Sequence, residues 1–447
     1  MESKIKEYLV SSLQDNRADI LRNQIEEYER LKCIYEMLFS KKEYNLEINE
    51  NIISNENKIM DFVNTIRSTW IDKCSECALK NVYRSNLHNK PQYTLKNKIK
   101  INYDYERIMI SDYFCHDNQN SCSFKILTSS CMGSINIMLN FFKTIFYRKK
   151  LFCFAGYYET LKSFARVRTD FSEIYMSDGN IETIRTEYYD IFFIEPVSAA
   201  YHLKSFPWEK LLMKLNNEST SKLRIIVFDN SFFGEDAYLE KYVKSLITQK
   251  ENVLFFSVRS LIKLDQQGLD FCFAGLITLY FSPKLENAAR KIYELLREQI
   301  DLFGVGLKYL DYCLLDNGST FIDKNYAKEI RTNTRQTAME LKDKIQSDKV
   351  IVYYPEQMEV PVIYIEFVGA KEQFYVDLCN VLLSEAASLG LKLQCRTSFG
   401  FRNISFEYFK LIEEEKYILK IAPGILRGVN HQIVISVLEK VAGEWNL

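Results

Sequence analysis

The start of the chain carries apolar side chains at the spacing of an amphipathic helix. Positions three and four apart share one face of a helix. The apolar positions are Leu21, Ile25, Tyr28, Leu31, Ile34, Met37 and Leu38. Residues 45–57 interrupt the pattern with many Asn and Glu residues, which predicts a loop. We therefore expect a mainly helical N-terminal segment, residues 1–100.

From about residue 100 the pattern changes to short apolar runs separated by helical stretches. The apolar runs lie at 124–128, 151–154, 191–194, 223–228, 253–257 and 271–280, and the helical stretches at 134–146, 208–215 and 236–246. Strands that are apolar along their whole length are typical of a parallel sheet with helices on both faces. Residues 101–300 therefore predict a large α/β domain.

The rest of the chain has a different texture. Residues 285–346 have helical periodicity, interrupted by Gly304, Gly306 and an Asp316-Asn-Gly318 turn. Beyond them, strands are expected at 350–353, 361–367, 391–397 and 417–421, and helices at 371–387 and 431–441. Residues 301–447 therefore predict a smaller α+β domain.

Composition and charge remove several classes of function. Hydrophobic residues make up 47% and charged residues 26% of the chain, as in ordinary globular proteins. The 58 basic and 59 acidic residues give a net charge of −1, which argues against nucleic acid or a membrane as the main partner. The apolar stretch 135–147 contains Asn140 and Lys143 and is too short to span a bilayer. The chain shows no charged-then-apolar leader, so we expect a cytoplasmic protein.

The cysteines predict reduced thiols. The chain has 11 of them without regular spacing, which is unlike a disulfide framework. Cys74 and Cys77 have the spacing of half a zinc site, which Cys115, His116 and Cys122 could complete. Because no second C-x-x-C follows, buried or idle thiols are the preferred interpretation, and no metal is expected.

Polar residues follow the predicted strands at the edge where doubly wound sheets bind ligands. Thr128-Ser-Ser-Cys-Met-Gly-Ser134 joins a strand to a helix, where free N–H groups and the helix dipole suit a phosphate. An ordinary Ser/Thr helix cap is the simpler alternative. After the next strand, Tyr157 and Tyr158 offer rings for stacking on a planar cofactor, although a chain with 29 tyrosines makes this signal weak alone.

Two further strand ends carry a carboxylate and a lysine. Asp229 ends an apolar strand, where it is either a helix cap or a carboxylate that keeps a pyridine nitrogen protonated. Lys263 follows another strand among Leu261, Ile262 and Leu264. A lysine is usually a surface residue, but an apolar setting lowers its pKa and lets it attack an aldehyde. Ser260 lies three residues earlier, within reach of a phosphate on the same ligand.

The order of these motifs resembles type I pyridoxal-phosphate enzymes, most closely the Cys/Met-metabolism family of cystathionine γ-synthase and methionine γ-lyase. The family's Ser-Gly-Met-Ala loop corresponds to Ser130-Cys-Met-Gly133, and its Tyr-Gly-Gly-Thr motif to Tyr157-Tyr-Glu-Thr160. Its Val-Val-Asp-Asn-Thr-Phe strand is similar to Val227-Phe-Asp-Asn-Ser-Phe232. Its Ser-Ala-Thr-Lys motif, with an Asp seven residues on, resembles Ser260-Leu-Ile-Lys263 with Asp270. The likeness covers about residues 100–447 of a divergent chain.

The resemblance implies an aspartate-aminotransferase-like α/β fold with a mostly parallel, seven-stranded sheet. It implies pyridoxal 5′-phosphate as the cofactor, held as a Schiff base by Lys263. Asp229 would keep the ring protonated, and Tyr157 would stack on the ring and assist the leaving group. A Tyr-x-Arg element, Tyr105-Glu-Arg107, would reach the phosphate in a neighbouring subunit. The expected cofactor-binding residues are Ser130, Cys131, Met132, Tyr157, Asp229, Ser260, Lys263, Tyr105 and Arg107.

The chain departs from the family pattern where the family binds ring and substrate. Ala199 stands where the family has an Asn for the cofactor's phenolic oxygen, and Ile262 replaces a phosphate-binding Thr. Lys420 replaces the Arg that binds the substrate carboxylate, and a lysine is a point charge without a bidentate fork. In Ser398-Phe-Gly-Phe-Arg402, Ser398 is a further substrate-binding candidate and Arg402 is either the alternative carboxylate-binding residue or an ordinary strand residue.

The family implies elimination or replacement at the β or γ carbon of a small-molecule amino-acid substrate. Transamination and carbon–carbon bond formation on the same fold remain alternatives. A third is a non-catalytic scaffold whose N-terminal helices bind a partner. We expect a homodimer or homotetramer with active sites at the subunit interface.

Overall fold

The computed structural model describes residues 2–40, 44, 46–84, 122–145, 149–177, 179–199, 202–218, 222–234, 237–315, 324–411 and 415–445. The chain divides into two compact units. We call Asp72–Ile262 with Phe271–Asn317 the large-sheet unit. The small-sheet unit comprises Met1–Ile71, Lys263–Asp270 and Gly318–Leu447. The expected domain boundaries near residues 100 and 300 stay predictions.

Helices and strands follow one another in three stretches. The first is helical: α1 (Glu2–Asp15), α2 (Arg17–Phe39) and α3 (Ile52–Arg84). The second alternates: β1 (Ser123–Thr128), α4 (Cys131–Ile145), β2 (Lys150–Phe154), α5 (Tyr158–Val167), β3 (Glu173–Met176), β4 (Ile191–Ile194), β5 (Val197–Ser198), β6 (Lys204–Ser205), α6 (Trp208–Asn217), β7 (Arg224–Asp229), α7 (Ala237–Gln249), β8 (Val253–Ser260), β9 (Gly275–Phe281), α8 (Glu286–Phe303) and α9 (Tyr309–Leu315). The third is mixed: α10 (Lys324–Ile345), β10 (Val350–Tyr353), β11 (Ile363–Phe367), α11 (Glu372–Ser388), β12 (Gln394–Cys395), β13 (Ser405–Leu411), β14 (Lys416–Ala422) and α12 (Val429–Trp445).

The large-sheet unit is built on a seven-stranded sheet in the order β1-β9-β8-β7-β4-β2-β3. Neighbouring strands from β8 to β3 run parallel, and β9 is antiparallel to both β1 and β8. All four residues of β4 are buried, as expected for a strand covered on both faces. The mostly parallel, seven-stranded sheet is therefore confirmed.

Helix α4 shows why this sequence covers the sheet as it does. Its buried residues recur at helical spacing, including Ile135, Met138, Leu139 and Phe142, and they join the apolar core beneath the strands. The helix begins at Cys131, three residues before the expected start. The earlier start places its free N–H groups directly after β1, at the carboxyl edge of the sheet.

The small-sheet unit is built on a five-stranded sheet in the order β10-β11-β14-β13-β12. Its pairs are antiparallel except β12 with β13. Apolar residues of β10, β11 and β14 pack with those of α1, α10, α11 and α12 in one core. The first helices of the chain therefore share a core with the C-terminal α+β region.

The structure corrects the loop expected at 45–57, because α3 begins inside it at Ile52. The Asn51 side chain accepts the N–H of Ser54, so this asparagine caps a helix. Asn55 and Glu56 are fully buried. The Glu56 carboxylate accepts the backbone N–H groups of Val429 and Asn430 at the start of α12. The polar residues that suggested a loop instead cap two helices.

Several smaller differences concern strands. Strand β13 and the short strands β3, β5 and β6 were not expected, whereas the strand expected at 391–397 reduces to Gln394–Cys395. The strand expected from residue 271 begins at Gly275. No described helix has the length and apolar character needed to cross a membrane.

Candidate active site

The segment between β1 and α4 forms a compact turn at a helix N-terminus. The Ser130 hydroxyl accepts the Gly133 N–H at 3.0 Å, so Ser130 caps α4. The Thr128 hydroxyl lies 2.6 Å from that of Ser134. The simpler alternative, a helix cap, is therefore correct for the Ser130 side chain. A cap and a phosphate site are compatible, because the helix start still presents N–H groups and its positive dipole end.

Gly275 holds three segments together at this edge of the sheet. It opens β9 opposite Thr128 of β1 on one side and opposite Ser260 of β8 on the other. A Cβ atom at Gly275 would lie 2.5 Å from the carbonyl carbon and oxygen of Ser130 and 2.7 Å from the Cys131 nitrogen. Only glycine lets the β1–α4 turn approach the sheet so closely.

Ser231 connects the ends of β7 and β8 to the start of α4. Its N–H donates to the Asp229 carboxylate at 3.0 Å. Its hydroxyl accepts the Ser260 N–H at 3.1 Å and lies 3.4 Å from the Cys131 sulfur. The structure therefore places Cys131, Asp229 and Ser260 around Ser231, which the sequence did not single out, and Ser130 directly precedes Cys131. Met132 is partly buried against the core beneath α4.

Glu195, at the end of β4, holds the loop that carries Tyr157. Its Oε2 atom accepts the N–H groups of Gly156 at 2.7 Å and of Tyr157 at 3.0 Å. Its Oε1 atom is buried without a hydrogen-bond partner among the described residues. Burial and then the neighbouring Asp229 charge raise the pKa of Glu195 to about 8. The sequence signal for Glu195 is the segment Glu195-Pro-Val-Ser-Ala199, which it opens. Only Ala199 of this segment was compared with the family pattern.

Tyr157 itself remains partly accessible, with 39% of its surface exposed. Partial burial, followed by the nearby Glu159 carboxylate, raises the pKa of Tyr157. Its phenol therefore stays protonated at neutral pH and can donate a proton or a hydrogen bond. Ala199 lies in the turn that follows β5.

Lys263 belongs to the small-sheet unit, in the turn that follows β8 along the chain. Its carbonyl accepts the Gly268 N–H at 3.1 Å, and its Nζ atom lies 4.2 Å from the centroid of the Phe399 ring. A Cβ atom at Gly400, where φ is +78°, would lie 3.1 Å from the Lys263 Cβ. Phe399 and Gly400 therefore pack directly on the lysine side chain.

Asp270 closes the same turn in the left-handed region, with φ of +48°. Its Oδ1 atom is buried and has no hydrogen-bond partner among the described residues. Burial raises the pKa of Asp270 to about 6. The positive charges of Arg396, Arg67 and Lys263 act in the opposite direction and lower it. The Arg67 side chain, on α3, donates its Nε–H to the Asp270 backbone carbonyl at 3.1 Å. Backbone strain of this kind often accompanies functional sites.

The two cations expected to bind a substrate carboxylate both have carboxylate partners. Lys420 of β14 donates to Glu407 and, at 2.5 Å, to the Thr397 carbonyl. The Arg402 guanidinium donates to Glu27 of α2 at 2.5 Å, and both side chains are only 2% exposed. Tyr105 and Arg107 lie outside the described residues.

The described residues hold no group of three or more His, Cys, Asp or Glu side chains placed to bind a metal. The buried Cys74 thiol donates to the Cys313 carbonyl at 3.3 Å. Cys74 therefore packs as a small buried side chain. Cys115 and His116 lie outside the described part of the chain.

The architecture has counterparts among solved structures. The chain is similar to metB from Corynebacterium glutamicum, with 16% identity, coverage of 71% of this chain and 81% of that chain, and a TM-score of 0.52. It is also similar to cystathionine γ-synthase from Xanthomonas oryzae pv. oryzae, solved in complex with aminoacrylate and cysteine. There the identity is 12%, the coverage 72% and 82%, and the TM-score 0.51.

The chain has the type I fold of pyridoxal-phosphate enzymes. The predicted fold class and the resemblance to cystathionine γ-synthase structures are thereby confirmed. No family model matches the sequence, and no curated protein matches it. Such low identities extend the likeness to the fold and no further.

The turn before α4 fits a phosphate group within this type I fold. The helix start and the hydroxyl groups of Ser130 and Ser231 offer donors, and Gly275 leaves room for the close approach. The Asp229 carboxylate lies at the end of β7 and accepts the Ser231 N–H, and this strand-end position suits a protonated pyridine nitrogen. The residues of the large-sheet unit therefore fit pyridoxal phosphate.

Proposed function

We propose that the protein is a pyridoxal-phosphate-dependent enzyme that catalyses elimination or replacement at the β or γ carbon of an amino acid. The observation that carries the proposal is the set of contacts made by Ser231. Its backbone N–H donates to the strand-end carboxylate of Asp229, and its hydroxyl accepts the Ser260 N–H and lies beside the Cys131 sulfur at the start of α4. These are the positions at which the sequence motifs resemble the Cys/Met-metabolism family.

Each residue has a defined task in the proposal. The start of α4, with Ser130 and Cys131, binds the phosphate together with Ser260. Asp229 would hold the cofactor's ring nitrogen, and Tyr157 would stack on the ring. Lys263 would hold the cofactor covalently, and its amine would move protons once a substrate has displaced it. When bound, the cofactor supplies an electron sink for carbanion chemistry.

The proposal also includes the expectations about assembly and location. It takes the protein to be a cytoplasmic homodimer or homotetramer whose Tyr105 and Arg107 contribute to the phosphate site of the neighbouring subunit. It keeps Ser398 as a residue that borders the substrate. It also keeps three domains, residues 1–100, 101–300 and 301–447.

The test is covalent trapping of pyridoxal phosphate with borohydride. Wild-type protein should show a visible absorbance band, and peptide mass spectrometry after reduction should find the phosphopyridoxyl group on Lys263. Lys263→Ala should lose both signals while its melting temperature stays near that of the wild type. Lys371→Ala, which changes an exposed lysine at the start of α11, is the matched control.

Two results would contradict the proposal. One is a Lys263→Ala variant that keeps the reducible band, and the other is a wild-type protein that never acquires it. If trapping succeeds, release of keto acid with ammonia separates elimination from transamination, which would need an added keto acid as amino acceptor. Binding without any turnover would favour the non-catalytic scaffold.

A further inference from the structure

The small-sheet unit contains two arginines near the Lys263 turn that the proposed function does not yet use. They are Arg396, just after β12, and Arg67, on α3. The Arg396 guanidinium carbon lies 4.7 Å from the centroid of the Phe401 ring. Phe401 lies two residues beyond Phe399, whose ring contacts the Lys263 amine. Arg67 donates to the backbone of Asp270, the last residue of the Lys263 turn.

Within the described part of the chain, neither guanidinium forms a direct ion pair. Among the described residues, Arg396 and Arg67 have no carboxylate oxygen within 4.0 Å, unlike Arg402 and Lys420. The Arg396 side chain is exposed, so a ligand in solution can reach it. Arg402, by contrast, would have to abandon the buried Glu27 carboxylate in order to bind a substrate, which would leave that charge uncompensated.

The electrostatic balance around the two arginines is positive. Partial burial lowers the pKa of Arg396, the Asp270 charge opposes this shift, and the Arg67 charge adds to it. Asp270 is therefore the carboxylate that faces two guanidinium groups and the Lys263 amine. An additional anion would balance the excess charge.

We propose that Arg396 binds the carboxylate of the amino-acid substrate, with Arg67 as a second positive charge beside it. The inference rests on the proposed function and names the residue that orients the substrate at that same site. A guanidinium has the planar fork that matches a carboxylate through two parallel hydrogen bonds. This assignment replaces Lys420 and Arg402, whose charges are engaged in structural ion pairs.

The experiment compares two reagents that differ in a carboxylate. Aminooxyacetate and O-methylhydroxylamine share the aminooxy group that displaces Lys263 from pyridoxal phosphate, but only the first carries a carboxylate. The visible absorbance band disappears at one rate with aminooxyacetate and at another with O-methylhydroxylamine. The ratio of these two rates reports how strongly the protein recognises a carboxylate, and it requires no knowledge of the substrate. Wild-type protein should prefer aminooxyacetate, and Arg396→Met should reduce this preference at least about tenfold. Arg396→Lys should give an intermediate ratio because it keeps the charge and loses the fork.

Three variants separate Arg396 from other cations. Arg67→Met should reduce the preference less than Arg396→Met, because Arg67 supplies positive charge but not the principal hydrogen bonds to the carboxylate. Lys420→Met should leave the ratio unchanged wherever the variant folds. Arg335→Met removes an exposed arginine on α10 that pairs with Glu359, and it should match the wild type.

A second readout needs no cofactor. Phenylglyoxal should modify Arg396 in protein without pyridoxal phosphate, and propionate should slow this modification more than propionamide at matched ionic strength. Equal labelling of Arg396 in propionate and in propionamide would overturn the inference. An Arg396→Met variant that keeps the wild-type preference for aminooxyacetate would also overturn it. If Lys263 never carries pyridoxal phosphate, the proposed function fails first, and the labelling result still decides whether Arg396 binds carboxylates.

Discussion

At the scale of single residues, the Glu195 carboxyl group lies beneath the Tyr157 loop, and its proton depends on burial and on the Asp229 charge. Its pKa is raised from 4.5 to about 8. Between pH 4.5 and about 8, the Glu195 carboxyl group keeps its proton in the folded protein and releases it in the unfolded chain. The stabilisation is therefore complete below about pH 4.5 and is lost as the pH rises through about 8.

Glu195→Gln removes this proton while keeping an oxygen that accepts the Gly156 and Tyr157 N–H groups. Relative to the wild type, we expect the variant to gain stability as the pH rises from 5 to 8, by at most about 1.4 kcal/mol per pH unit. The measurement is the urea midpoint at several pH values. The control is Glu182→Gln at an exposed position. A pH-independent difference between Glu195→Gln and the wild type would contradict the assignment.

Sequence reasoning located polar residues at the ends of apolar strands and missed contacts between residues that lie far apart in the chain. Asp229 and Ser260 end apolar strands, and that pattern is visible in one dimension. Arg402 looked available because its partner Glu27 lies 375 positions away in the chain. Lys420 looked available because Glu407, directly opposite it on β13, belongs to a strand that was not expected.

At the scale of elements, the closeness of β9 to the β1–α4 turn depends on Gly275. Gly275→Ala would place a Cβ atom 2.5 Å from the Ser130 backbone. The turn must then move, and we expect affinity for pyridoxal phosphate to fall at least about tenfold, or about 1.4 kcal/mol. A fluorescence titration measures this affinity.

Gly306→Ala is the matched control for that substitution. Its Cβ would meet only Ile300 Cγ2 at 3.5 Å, an ordinary contact. The control should bind the cofactor as the wild type does. Wild-type affinity in Gly275→Ala would mean that the β1–α4 turn does not contact the phosphate.

The elements that were predicted correctly are those whose side chains face one environment along their whole length. The continuously apolar strands β2, β4 and β7 are of this kind. Strand β13 mixes buried and partly exposed positions, and the short β3 has no buried residue, so hydrophobicity alone did not mark them. The start of α3 was missed because Glu56 is buried by its bonds to α12, which local sequence does not reveal.

At the scale of the whole molecule, the proposal predicts an oligomer that completes its own phosphate sites. Subunits with Arg107→Ala should bind pyridoxal phosphate weakly, and Lys263→Ala subunits should not trap it. Mixed oligomers of the two variants should regain trapping at the sites where an intact Arg107 faces an intact Lys263. Light scattering and borohydride trapping measure the outcome. Monomers with tight cofactor binding, or no recovery on mixing, would rule out donation across an interface.

The division of the chain has a consequence for the order in which the protein matures during synthesis. The small-sheet unit draws on Met1–Ile71, Lys263–Asp270 and Gly318–Leu447, whereas the large-sheet unit lies between them in the chain. On the ribosome, α1 and α2 emerge well before β10–β14 and remain without most of their core until those strands are made. The turn of Lys263 must likewise await Phe399 and Gly400, which pack on the lysine. In a nascent chain whose large sheet is complete, Lys263 would therefore still lack its packing partners. If the proposed function holds, binding of the cofactor is then a late event in biosynthesis.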